Sequence, residues 1–184
     1  MKFKFESHPQ RVVFEIGALA RLAEEVDRLG SSRALLLCTP NQRAQAEQAA
    51  ELLGARAAGV FDGAVMHVPV EVAREAQTHA RRLGADCAVA IGGGSTIGLG
   101  KAIALESSLP IVAIPTTYAG SEMTPIYGLT EAGIKKTGRD LRVLPRTVIY
   151  DPKLSSELPL GLSTTSALNA LAHAAEGSHA PGPR

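Results

Sequence analysis

The sequence predicts an α/β fold, a Rossmann-like parallel sheet with helices on both faces, followed by the first helix of a truncated all-helical domain. Three observations predict it. Short β-branched runs alternate with longer segments rich in Ala, Leu, Glu and Arg, the strand–helix repetition of a parallel sheet. The apolar runs barely alternate in polarity, so their strands should be covered on both faces. The stretch CAVAIGGGSTIGLGK (87–101) runs from an apolar strand through a glycine-rich turn into a helical pattern.

RVVFE (11–15) has the β-branched content of a strand, and ALARLAEEVDRL (18–29) is an amphipathic helix ended by Gly30. Strand 33–38 (RALLLC), helix 42–53, a weak strand over 57–61 and helix 70–83, stopped by Gly84, follow. Strand 87–91 leads into helix 95–105, and IVAI (111–114) is the next strand. Residues 126–150 change character: IYGLTEAGIKKTGRDLRVL reads as a hairpin turning at Ala132-Gly133, followed by a return strand VIY. After DPKLSSELP, residues 162–176 form a helix with Ser163 or Thr164 as its cap. The tail SHAPGPR cannot continue a helix. The expected division is an α/β domain over 1–158, then the start of a truncated helical domain and a tail over 159–184.

Composition excludes several functions. Lys plus Arg number 19 against 18 Asp plus Glu with no basic tract, so nucleic acid is not an expected partner. No apolar run approaches the roughly 20 residues that cross a bilayer. The start, MKFKFESHPQ, lacks a signal-peptide core. Cys38 and Cys87 both fall in predicted buried strands, too few for a disulfide scaffold, so a reducing, cytoplasmic location is expected.

The glycine turn fits neither standard phosphate motif. G-x-G-x-x-G started at Gly92 meets Ile97 at its third glycine, and G-x-x-x-x-G-K-[ST] meets Ser95 and Ala102. The physics behind both motifs survives. A strand end, three glycines, then Ser95 and Thr96 opening a helix leave unpaired N–H groups at the positive end of a helix dipole, bare enough for a pyrophosphate. A glycine turn that merely lets helix and sheet pack closely would have the same pattern. The next loop, IPTTYAGSEMTP (114–125), puts Thr116, Thr117, Ser121 and Thr124 beyond the carboxyl end of a neighbouring strand, where open α/β sheets bind ligands. On helix 162–176, Asn169 and His173 share a face four residues apart, with Glu176 nearby. That is metal-ligand spacing, although a lone histidine on an alanine-rich helix is more often simply packed.

Together, VVFEIGALARLAEEV, AIGGGSTIGLGKAIA, IPTTYAGSEMTPIYG, VIYDPKLSSELP and SALNALAHAAEG resemble the iron-containing alcohol dehydrogenase superfamily, most closely its maleylacetate reductase branch. The likeness runs from about residue 10 to 177. It implies a nucleotide-binding domain followed by a helical one, with the active site between them, assembly as a homodimer, and hydride transfer from NADH or NADPH. Gly92, Gly93, Gly94, Ser95 and Thr96 would hold the pyrophosphate, Thr116 and Thr117 would flank the cofactor, and residues after strand 33–38, Thr39 and Asn41, would face the adenosine ribose.

Two departures bear on metal. Metal-binding members carry aspartate where this chain has Asn169, and usually another in the glycine loop where it has Gly98. An amide is a weak ligand beside a carboxylate, so no bound metal is expected. The implied reaction is reduction of maleylacetate, or a chlorinated relative, to 3-oxoadipate in aromatic-compound degradation. A metal-dependent alcohol or polyol dehydrogenase, and a nucleotide-binding piece without activity, are the alternatives. Hydride addition to the β-carbon of an enone pushes charge onto the conjugated oxygen, which needs a donor; His173 is the candidate, with Tyr118 and Ser121 bordering the dicarboxylate substrate. At the tip of strand 33–38, Thr39-Pro40-Asn41-Gln42 offers no carboxylate and Arg43 stands close, so both nucleotides should be accepted.

Overall fold

The computed structural model describes residues 8–156 and 158–179. Its centre is a six-stranded sheet in the order β1-β8-β5-β4-β2-β3, parallel throughout, built from β1 (Arg11–Phe14), β2 (Ala34–Leu37), β3 (Ala57–Phe61), β4 (Cys87–Gly92), β5 (Ile111–Pro115) and β8 (Thr147–Tyr150). A separate hairpin pairs β6 (Ile126–Glu131) with β7 (Ile134–Arg139).

The run Ala34-Leu35-Leu36-Leu37 explains the two-sided cover. Ala34 and Leu36 pack with Val89, Ile91 and Val112 against α1 (Leu22–Arg28) and α2 (Arg43–Leu53). Leu35 and Leu37 pack on the opposite face with Ala73, Ala76, Leu99 and Ile103 from α3 (Val70–Arg82) and α4 (Gly94–Ser107). Each of these leucines is fully buried, worth roughly 1.5–3 kcal/mol apiece relative to exposure. With both faces dry, a polar residue in alternate positions would have nowhere to go, hence the missing alternation.

The turn at Ala132-Gly133 is where the sequence placed it. Both residues have positive φ, 49° and 77°, the two-residue hairpin geometry whose twist matches that of its strands. The strand VIY that follows the hairpin extends to Thr147–Tyr150 and returns the chain to the main sheet, between β1 and β5.

The last helix corrects one expectation. After α5 (Pro152–Ser156), α6 spans Leu160–His179, earlier and longer than 162–176. Ser163 and Thr164 therefore lie inside it rather than at its cap: the Ser163 N–H donates to the Pro159 carbonyl at 2.9 Å and the Thr164 hydroxyl to the Leu160 carbonyl at 2.9 Å. Serine and threonine offer the same hydrogen bonds to a cap and to a preceding turn, so the pattern alone could not separate the two. Ser178 and His179 of the tail continue α6, and residues 180–184 lie outside the described residues. No helix among the described residues is long and apolar enough to cross a membrane.

Candidate nucleotide site at the switch point of the sheet

The chain leaves β2 for β3 on one side, crosses back to β4 on the other, and then proceeds outward through β5. The direction of winding reverses between β2 and β4, and the crevice beyond their carboxyl ends is where such sheets take ligands. Three loops with candidate residues converge there: Thr39 and Asn41 after β2, Gly92–Thr96 after β4, and Thr116 and Thr117 after β5.

The glycines divide by role. Gly92 has φ of +149°, and a Cβ on it would lie 2.6 Å from both Gln42 Oε1 and Thr96 Oγ1. A Cβ on Gly93 would lie 3.0 Å from Thr117 Cγ2. These two positions are glycine because the protein's own side chains press on them. Gly94 differs: its Cβ would meet only Ala119, at an ordinary 3.8 Å. Gly94 opens α4, and the first helical bond runs from the Ile97 N–H to the Gly93 carbonyl at 3.1 Å. The N–H groups of Gly94, Ser95 and Thr96 precede it, at the positive end of the dipole. The Thr96 side chain is fully buried and its Oγ1 has no hydrogen-bond partner, so a polar group is wanted at the turn. These features fit a pyrophosphate.

Gln42 joins the three loops, a role that no sequence pattern marks. It accepts from the Thr39 hydroxyl at 3.0 Å, donates through Nε2 to Thr116 Oγ1 at 2.9 Å, and abuts Gly92. Asn41 beside it is exposed. Asp62 follows β3 and accepts from Arg43 Nη1 at 2.9 Å.

Lys101 is the second unmarked feature. It sits on α4, fully buried, and its ammonium donates to the carbonyls of Ser121, Thr124 and Ile126 at 2.6, 2.8 and 2.7 Å. The ammonium thus closes the loop that carries Thr116, Thr117 and Tyr118 onto α4. The Ser121 carbonyl is one of these ligands, which places Ser121 in the clamp.

Tyr118 meets α6. Its N–H donates to Ser166 Oγ at 2.9 Å, and its hydroxyl lies 3.4 Å from Ser163 Oγ. His173 is seven residues beyond Ser166, about two turns along the same helix face. Its side chain is 69% exposed, with Nδ1 3.6 Å from Glu176. Asn169 is also exposed. Among the described residues, no three His, Cys, Asp or Glu side chains come together to hold a metal. Gly98 has a steric explanation: a Cβ there would lie 2.8 Å from Val68 Cγ2. Val68 and His67 have φ of 46° and 68° and are held by Thr130, which donates to both their carbonyls. An aspartate at 98 would require that segment to move.

A doubly wound parallel sheet with a glycine turn and a helix N-terminus at its switch point defines a Rossmann-like α/β domain. Residues 9–152 match the iron-containing alcohol dehydrogenase family, and the chain belongs to it. The similarity is high to maleylacetate reductases: 66% identity over 178 residues to that of Burkholderia cepacia, covering 97% of this chain and 51% of the relative. The crystal structure of maleylacetate reductase from Agrobacterium tumefaciens superposes with a TM-score of 0.93 at 55% identity, over 96% of this chain and 50% of that one. A putative alcohol dehydrogenase from Ralstonia eutropha superposes with a TM-score of 0.95 at 69% identity, over 96% and 50%. The chain spans about half the length of the curated relatives it matches.

Proposed function

We propose that the protein binds NADH or NADPH at the β2–β4 switch point and serves the reduction of maleylacetate, or a chloro-substituted relative, to 3-oxoadipate. The observation that carries the nucleotide part is the loop at Gly94: open space, unpaired N–H groups and the unpartnered Thr96 hydroxyl at one helix end. The high identity to maleylacetate reductases supports the substrate. Gly92, Gly93, Gly94, Ser95 and Thr96 hold the pyrophosphate, Thr116 and Thr117 flank the cofactor, and Thr39 and Asn41 border the adenosine ribose.

When bound, the reduced nucleotide supplies the hydride. Tyr118 borders the dicarboxylate, tied to α6 through Ser163 and Ser166, and Ser121 lies at the clamped end of the same loop. His173 faces the same side two turns on and donates to the substrate carbonyl oxygen as charge builds there. Residues 1–158 are the nucleotide-binding part, and α6 begins the helical one. Among the described residues β1 is an edge strand, and Phe14 in it and Ile16 just after it, each 73% exposed, support a homodimer. Two buried free cysteines support a reducing cytoplasm.

The test is fluorescence titration of the purified chain with NADH, followed by an assay of NADH oxidation and 3-oxoadipate formation from maleylacetate. Micromolar NADH binding is expected, and its absence overturns the reading. Metal distinguishes this reading from a metal-dependent alcohol dehydrogenase. Elemental analysis after dialysis without chelator should give far less than one iron or zinc per chain, and Asn169→Asp should raise metal affinity. Stoichiometric metal that disappears in His173→Ala would move the function to the metal-dependent class.

A further inference from the structure

We propose that Asp62, acting through Arg43, sets the preference between NADH and NADPH. The inference rests on the nucleotide reading above and concerns residues that contact none of the glycine turn. Adjacent strands lie roughly 5 Å apart, so β2 is one strand spacing from β4 and β3 is two. A ribose extending from the glycine turn passes over the tip of β2, and its 2′ substituent meets what projects between β2 and β3. The two tips are fastened together: the Cys38 N–H donates to the Phe61 carbonyl at 3.0 Å, and the Ala64 N–H to the Cys38 carbonyl at 3.1 Å.

What projects there is a three-charge cluster. Arg43 opens α2, and its guanidinium donates through Nη1 to Asp62 at 2.9 Å and through Nε to Glu47 at 2.9 Å. Arg43 holds the Asp62 carboxyl below the usual carboxylate range. One cation shared by two carboxylates leaves a net negative charge. A 2′-phosphate needs the guanidinium fork to itself, so it must displace Asp62 and then lie beside its carboxylate. A 2′-hydroxyl needs neither, because it can donate to Asp62 directly. The sequence set Arg43 close to this tip, and its pairing with Asp62 and Glu47 gives the site its negative balance. Both side chains are about half exposed, so the pair adds little to stability and can be altered without unfolding the domain.

The experiment is equilibrium titration of NADH and NADPH, by nucleotide fluorescence at one ionic strength, with the full chain and two variants. NADH should bind the unmodified chain severalfold to tens of times more tightly than NADPH. In Asp62→Asn the ratio should fall by at least about tenfold, mainly through tighter NADPH binding, with the circular dichroism spectrum unchanged. Arg43→Ala should weaken NADPH in the Asp62→Asn background while leaving NADH within about twofold. A ratio unchanged in Asp62→Asn, with NADH still bound, overturns this inference and leaves the nucleotide site standing. Failure of the unmodified chain to bind either nucleotide overturns both.

Discussion

Lys101→Met is expected to lose about 2–4 kcal/mol of folding stability, because the carbonyls of Ser121, Thr124 and Ile126 lose their donor inside the protein. For a domain of this size that is a fall in Tm of roughly 5–15 °C, measurable by urea titration and by calorimetry. Methionine nearly preserves the volume, so the loss reports hydrogen bonding rather than a cavity. Nucleotide affinity should fall as well, since the unclamped loop carries Thr116 and Thr117. An unchanged urea midpoint would show that the three carbonyls are satisfied without the ammonium. The pH dependence supplies a second reading. Burial pushes the Lys101 ammonium down from 10.5 to about 8, opposed by the nearby Glu122 carboxylate. Because the folded value lies below the unfolded one, unfolding takes up a proton between pH 8 and 10.5, so the Lys101 contribution to stability rises with pH across that window. The stability difference between the native chain and Lys101→Met should widen over it.

Gly94→Val should weaken NADH binding by roughly a hundredfold or more, about 2.7 kcal/mol, while the circular dichroism spectrum and urea midpoint stay close to native. Its Cβ enters open space, 3.8 Å from Ala119, and the branched methyls then stand before the N–H groups that open α4. Gly92→Val is the contrasting variant. There the Cβ strikes Gln42 and Thr96 at 2.6 Å and the backbone φ of +149° disfavours any side chain, so the turn itself is damaged and stability falls along with binding. Full NADH affinity in a folded Gly94→Val would remove the pyrophosphate from this turn. Gly93→Val lies between the two, with Thr117 at 3.0 Å, and is the least informative of the three.

The elements were legible in the sequence because local chemistry writes them. Dry strands such as Leu35–Leu37 lack alternation, helix patterns stop at Gly30 and Gly84, and Ala132-Gly133 marks a two-residue hairpin turn. The candidate site was legible as separate stretches for the same reason: a glycine turn at the end of an apolar strand, and a hydroxyl-rich loop after the next one. The start of α6 was misplaced because Ser163 and Thr164 bond equally well to a cap or to the turn behind them.

Only the tertiary structure decided what these stretches do to one another. The winding order of the sheet set the switch point between β2 and β4, and no local pattern encodes which strands become neighbours. Gln42 reaches Thr116 across 74 positions of sequence, Lys101 reaches the carbonyls of the 121–126 loop, and Arg43 reaches Asp62. Glutamine, lysine and arginine side chains are long and their partners lie on other elements, so their identity in the chain reveals neither burial nor partner. The sequence by itself determined that a bare glycine turn opens a helix at the end of a parallel strand. The fold decided that Gly92 and Gly93 are bare for the protein's own side chains and that Gly94 is left open, because only packing in three dimensions brings Gln42, Thr96 and Thr117 against the turn.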